Sequence, residues 1–145
     1  MAEESVILLV EDNESHAVLT TRGLSQLEQK IKIVHVTDGE SAIDYLLGRG
    51  KYSIPGSNPR PRLVLLDLRL PKIDGLDVLK EVKSSEDLRA IPVVILTSSM
   101  AEPDIVRSYY YNANSYLVKP IDFDEFRREM SCVADYWLNW NINPL

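Results

Sequence analysis

Leu63-Val64-Leu65-Leu66-Asp67-Leu68-Arg69-Leu70-Pro71-Lys72-Ile73-Asp74-Gly75 opens with four apolar residues in a row and stops on an acid. A short continuous apolar run, without alternation, reads as a strand buried on both faces, the habit of parallel sheets. Pro71 and Asp74-Gly75 then supply turn chemistry, and Leu76, Leu79 and Val82 recur at helical spacing. The stretch therefore reads as strand, acidic loop, helix.

The same unit repeats along the chain. Val6–Val10, Ile31–Val36, Val93–Leu96 and Tyr116–Val118 are further short apolar runs. Between them, Ala17, Leu24 and Leu27 mark one helix, and Ala42, Leu46 and Leu47 another. A fourth begins near Glu102-Pro103, where proline suits the first turn. The fifth begins about Asp122 or Asp124 and carries the stripe Phe126, Met130, Val133, Trp137, Trp140. Strands alternating with helices predict a doubly wound α/β fold with a five-stranded parallel sheet and helices on both faces. Residues 1–145 read as one domain, with an extended loop over 49–62 and a C-terminal tail over 136–145. The loop holds three prolines, two glycines, four basic residues and no acid. It reads as a mobile, solvated connection.

A net charge of -6 argues against non-specific binding to nucleic acid or anionic lipid. No apolar run approaches the roughly 18 residues needed to cross a bilayer, and the N-terminus lacks the basic region of a signal peptide. One cysteine, Cys132, permits no internal disulfide, fits a cytoplasmic setting and is expected as a small core residue. His16 and His35 read as surface or packing residues.

In a parallel sheet, ligands sit at the carboxyl ends of the strands. The residues there are Glu11-Asp12, Asp67, Thr97-Ser98 and Lys119-Pro120. Each alone is ordinary: an acid at a strand end is commonly a helix cap, and a lone lysine a surface group. Together they have a definite chemistry. Clustered carboxylates call for a hard cation such as Mg²⁺, with Asp12 and Asp67 as ligands, the backbone carbonyl of Arg69 as another, and Glu11 through water. A carboxylate nucleophile, Asp67, accepts a phosphoryl group as an acyl phosphate. Lys119 and the Thr97 hydroxyl then neutralise and bind its oxygens.

At VILLVEDNES, LVLLDLRLPKIDGLDVLKEVK, IPVVILTSS and ANSYLVKPI the chain resembles the receiver domains of two-component response regulators. The resemblance implies a flavodoxin-like strand order 2-1-3-4-5, phosphotransfer from a histidine kinase and a Mg²⁺ requirement. It implies that Asp67 is the acceptor, Thr97 and Tyr116 the switch pair, and Pro120 the residue after a cis bond. Asn112 stands where a glycine is frequent, and asparagine tolerates the left-handed conformation required there. The basic Pro-rich loop, LLDLRLPKIDG and the tail DYWLNWNINPL are similar to the small regulators paired with cyanobacterial phytochromes, which implies a phytochrome as kinase.

Phosphorylation is expected to draw Thr97 inward, to turn Tyr116 from exposed to buried, and to alter the face formed by helix 4, strand 5 and helix 5. Tyr136, Trp137 and Trp140 suggest a homodimer through helix 5 and the tail. With no output domain before residue 145, the signal is expected to pass through protein contacts. Two other readings stand beside this one. A receiver-like adaptor would signal without phosphate. A phosphohydrolase with an aspartyl nucleophile would need a second acid two residues after the first, where this chain has Arg69. A dinucleotide enzyme is disfavoured because EDNES replaces the Gly-rich turn.

Overall fold

The computed structural model describes residues 4–144, so residues 1–3 and 145 of the expected domain lie outside it. Strands β1 (Ser5–Val10), β2 (Ile31–Val36), β3 (Leu63–Leu66), β4 (Val93–Thr97) and β5 (Ser115–Val118) alternate with helices α1 (Glu14–Leu24), α2 (Gly39–Leu47), α3 (Gly75–Ser84), α4 (Glu102–Tyr110) and α5 (Phe123–Asp135). All four strand pairings are parallel, in the order β2-β1-β3-β4-β5. The expected fold and strand order hold.

Burial follows position in the sheet. The continuous apolar strands β1, β3 and β4 are buried at every residue, while the edge strands β2 and β5 are largely half-buried. One core packs α1 and α5 on the sheet through Leu24, Phe126, Met130 and Ala134. The other packs α2 and α3 through Ala42, Tyr45, Leu79 and Val82. Helix α4 differs: its buried residues are polar, Asp104 and Ser108.

Several expectations need correcting. Helix α1 ends at Leu24, so Leu27 falls in the following turn. Leu47, at the end of α2, is exposed. On α5 and the turn that continues it the buried set is Phe126, Met130, Ala134 and Leu138, spaced by four, so Val133 and Trp137 are only half-buried and Trp140 is exposed. A π-helical turn over Tyr136–Trp140 follows α5 and is held by Asp135, which accepts from Asn139 Nδ2 and Trp140 Nε1 at 2.7 and 3.1 Å. Cys132, two positions from both Met130 and Ala134, is turned to solvent. Among the described residues no peptide bond is cis, so Lys119–Pro120 is trans, the intrinsically favoured isomer. Asn112 has φ +69°, in the left-handed region as its side chain permits.

The 49–62 loop is more constrained than its composition suggests. A 3-10 turn spans Gly50–Tyr52. The buried Tyr45 hydroxyl donates to the Pro59 carbonyl at 2.6 Å, and Asn58 Nδ2 donates to the Tyr45 carbonyl at 2.9 Å. Tyr52 stands edge-on to the Tyr45 ring.

Candidate functional site

The ladder of the sheet carries past the strand ends and fixes the polar residues beyond them. Glu11 donates its backbone N–H to Val36 O at 3.0 Å, Asp67 to Val10 O at 3.1 Å, and Lys119 to Thr97 O at 2.8 Å. Three side chains from three loops are therefore placed by backbone bonds to neighbouring strands. Glu11, Asp12, Asp67, Thr97 and Lys119 come together, as the sequence reading expects.

Lys119 is the centre of the cluster. Its ammonium lies 2.5 Å from Glu11 Oε1 and 3.0 Å from Asp67 Oδ2, and the lysine is almost wholly buried. Asp67 Oδ1 accepts from the Leu68 N–H at 2.7 Å, which fixes the carboxylate plane. Glu11 and Asp67 are buried, whereas Asp12 is exposed. One oxygen from each of the three acids falls within 4.8 Å of the others. This is an all-oxygen, hard donor set that fits Mg²⁺.

The charges divide unequally. Burial pushes the Glu11 carboxyl up to about 7, against the opposing pull of Lys119. Burial pushes Asp67 the same way, but the Lys119 ammonium and hydrogen bonds to Lys119 and Glu11 outweigh it and hold Asp67 below the usual carboxylate range. Of the acids around this lysine, Glu11 is pushed toward its protonated form and Asp67 is held toward its ionised form.

An open cavity of about 430 Å³ leads to Asp67, lined also by Asp12, His16, Arg69, Thr97 and Lys119. Its floor depends on glycine. A Cβ on Gly75 would lie 2.2 Å from the Asp67 carbonyl oxygen, while the Gly75 N–H donates to Leu68 O at 2.9 Å. The loop over Asp67–Gly75 can close only with no side chain there. Lys72 in the same loop takes φ +67°.

Tyr116 is half-buried, not exposed, and its hydroxyl donates to the Ser99 carbonyl at 2.9 Å. Thr97 Oγ1 faces the Ser99 N–H at 3.4 Å. Tyr136 and Trp140 are exposed at the far end of α5, away from this cluster.

Sequence reasoning missed four residues. Asn13 caps α1 by accepting from the His16 N–H, and His16 Nδ1 then sits 2.9 Å from Lys119 Nζ. His35 Nε2 lies 2.7 Å from the Glu11 carbonyl oxygen. Asp104, at the start of α4, meets Arg69 Nη2 and Ser99 Oγ, each at 2.6 Å. The position of His16, four residues after an acid that follows β1, was the one available signal for its proximity to the site.

The family model for the response regulator receiver domain matches residues 7–131. Among curated proteins, the chain is 48% identical over 140 residues to a probable methanogenesis regulatory protein, FilR2, of Methanothrix harundinacea, covering 96% of this chain and 87% of that one. It is 38% identical over 142 residues to the response regulator Rcp1 of Synechocystis, covering 95% of each. Among solved structures, the phosphorylated cyanobacterial phytochrome response regulator RcpA superposes with a TM-score of 0.93 at 36% identity, covering 99% of this chain and 100% of the other. By the family match, by these identities and by a sheet whose strand ends gather the acids and the lysine, this chain belongs to the response regulator receiver domain family.

Proposed function

We propose that the chain works as a phosphorylated switch in which Asp67 accepts a phosphoryl group from a histidine kinase. The observation that carries this reading is the position of Lys119 Nζ, held between Glu11 and Asp67 in the lining of an open cavity. A carboxylate oxygen of Asp67 attacks the phosphorus. The phosphorus–nitrogen bond of the donor phosphohistidine breaks, and its electron pair leaves with the imidazole. Lys119 donates to one phosphoryl oxygen and the Thr97 hydroxyl to another. Asp12, Asp67 and the Arg69 backbone carbonyl, with Glu11 through water, would hold Mg²⁺, which would add neutralisation of the transferred charge. The chain is an acceptor that assists its own phosphotransfer and hydrolysis, rather than a turnover enzyme.

The output is a shift between two existing states of the α4–β5–α5 face. Movement of Thr97 toward the phosphoryl group disturbs the Thr97–Ser99 contact, and Ser99 holds the Tyr116 hydroxyl. Val106, Tyr109 and Tyr110 of α4 are exposed on that face. A second copy of the chain docks through α5 and the tail, where Tyr136, Trp140 and Ile142 are exposed and Trp137 half-buried. The acidic net charge disfavours nucleic acid and anionic membrane as partners, and among the described residues no helix is long and apolar enough to cross a membrane. The cytoplasm is the proposed location.

A phytochrome is the proposed kinase, on the likeness to Rcp1 and RcpA over nearly the whole chain. The 48% identity to FilR2, a relative named for methanogenesis, favours as second reading a histidine kinase that senses something other than light. Incubation with acetyl phosphate and Mg²⁺ tests the central claim by intact mass. A phosphate adduct in the parent, lost in Asp67→Asn, is expected. An adduct that persists in Asp67→Asn overturns the assignment, and no adduct in either favours the phosphate-independent adaptor.

A further inference from the structure

Arg69 and Asp104 form a pair that bears directly on the acceptor. The Arg69 side chain is mostly exposed and lines the cavity above Asp67, yet its Nη2 is held 2.6 Å from Asp104 Oδ2. Asp104 is buried, and the same Oδ2 accepts from Ser99 Oγ at 2.6 Å. Ser99 in turn bonds Tyr116 through its carbonyl. One carboxylate oxygen therefore joins the loop after the acceptor to the loop that holds the switch tyrosine.

Asp104 also lies on the buried side of helix α4. The buried residues of that helix are Asp104 and Ser108, the Ser108 hydroxyl donating to the Asp104 carbonyl at 2.7 Å. With no fully buried apolar residue on α4, its first turn is tied to the body mainly by polar contacts. Asp104 also sits in that first turn, where a carboxylate is favoured by the helix dipole.

We infer that Asp104 is a positioning residue that holds Arg69 off the acceptor and thereby shortens the life of the acyl phosphate. This rests on Asp67 being the acceptor. A phosphoryl group on Asp67 is a second anion within the cavity that Arg69 lines, and it competes with Asp104 for the guanidinium. While Asp104 keeps Arg69, the cavity stays open to water. Hydrolysis then proceeds by attack of water on phosphorus, with cleavage of the bond between phosphorus and the Asp67 oxygen. The carboxylate leaves with the electron pair, and the proton of the water passes to the released phosphate. When Arg69 leaves Asp104, it covers the phosphoryl group, and Asp104 loses a partner that fixed the start of α4. Capture of Arg69 by phosphate and loosening of α4 are thus one event.

The test uses the full chain, labelled from acetyl phosphate with Mg²⁺, freed of donor, and followed by intact mass as the adduct decays. Asp104→Asn keeps the side chain's shape and removes its charge. The adduct is expected to live about three- to tenfold longer in Asp104→Asn than in the parent. In an Arg69→Ala background the same substitution is expected to leave the lifetime unchanged, a result that a general packing role for Asp104 does not produce. A lifetime in Asp104→Asn equal to or shorter than that of the parent overturns the assignment and leaves the acceptor reading standing. An equal lengthening with and without Arg69 also overturns it. A parent chain that forms no adduct overturns both.

Discussion

Lys119 Nζ stands 2.9 Å from His16 Nδ1, a third partner beside the carboxylates of Glu11 and Asp67. An ammonium has only protons to offer, so the ring nitrogen must accept and the imidazole must be neutral. Burial, then the Lys119 charge, lowers the His16 pKa from its ordinary value. A histidine depressed in the fold binds protons more readily when the chain unfolds. Its contribution to stability is present above about pH 6.5 and is lost as the pH falls through the folded value. Thermal midpoints measured from neutral to mildly acid pH are expected to fall further in the parent than in His16→Gln. Parallel curves for the two proteins would show that His16 carries no such linkage.

Glu11 has the opposite sign. With its carboxyl raised to about 7, the folded chain holds a proton that the unfolded chain releases at lower pH. That contribution to stability is present below the ordinary value and lost as the pH rises through about 7. Cation binding runs the other way, because the three acids serve a divalent ion only when ionised. Mg²⁺ is therefore expected to bind more tightly as the pH rises through that point, displacing close to one proton below it and almost none well above it. Calorimetry in buffers of different ionisation enthalpy counts the protons. Equal release at pH 6 and pH 9, each about a unit or more from the Glu11 value, would locate the proton elsewhere.

Gly75 tests how far the acceptor loop depends on backbone contact. The atoms a new Cβ would strike are the Asp67 carbonyl oxygen and Leu68 Cα, neither of which can rotate away. Gly75→Ala must shift α3 against β3, at a cost of about 2 kcal/mol or more. The urea midpoint should fall, and the adduct yield from acetyl phosphate should fall with it because Asp67 moves relative to Lys119. A stable variant that is phosphorylated normally would mean that the loop has room the present packing does not suggest.

The fold and the five-position site were legible because both follow from strand order along the chain. Continuous apolar runs mark β1, β3 and β4, and in a parallel sheet whatever follows such a run arrives at the same edge. Glu11, Asp67, Thr97 and Lys119 needed no knowledge of packing to be placed. His16 and Asp104 did. Each lies on a helix, and its contact with Lys119 or Arg69 depends on how that helix is rotated and seated on the sheet. Asn13 and the polar underside of α4 settle those rotations, and neither has a signature in hydrophobic periodicity. The same limit explains Cys132 and Trp140. An irregular three-and-four spacing fitted the sequence of α5, while the packed face keeps a spacing of four through Ala134 to Leu138.

That spacing changes how the proposed dimer must be tested. Removing everything after Asp135 would delete Leu138, which is buried in the core, and its carbonyl, which accepts from Arg62 Nη2 at 3.4 Å. A truncated chain could lose mass in solution simply by unfolding. Trp140 and Ile142, in contrast, are 74% and 88% exposed, so replacing both by serine removes no core side chain and costs only the exposed Trp140 Nε1–Asp135 bond. An exposed bond of this kind contributes about 1 kcal/mol or less, so the urea midpoint should fall only slightly. Light scattering is expected to give twice the chain mass for the parent and a substantial monomer fraction for the double variant, because exposed tryptophans act as anchors at interface centres. If parent and variant scatter alike, the α5 tail is not the contact between copies, and the exposed residues of α4, Val106, Tyr109 and Tyr110, become the surface to substitute next.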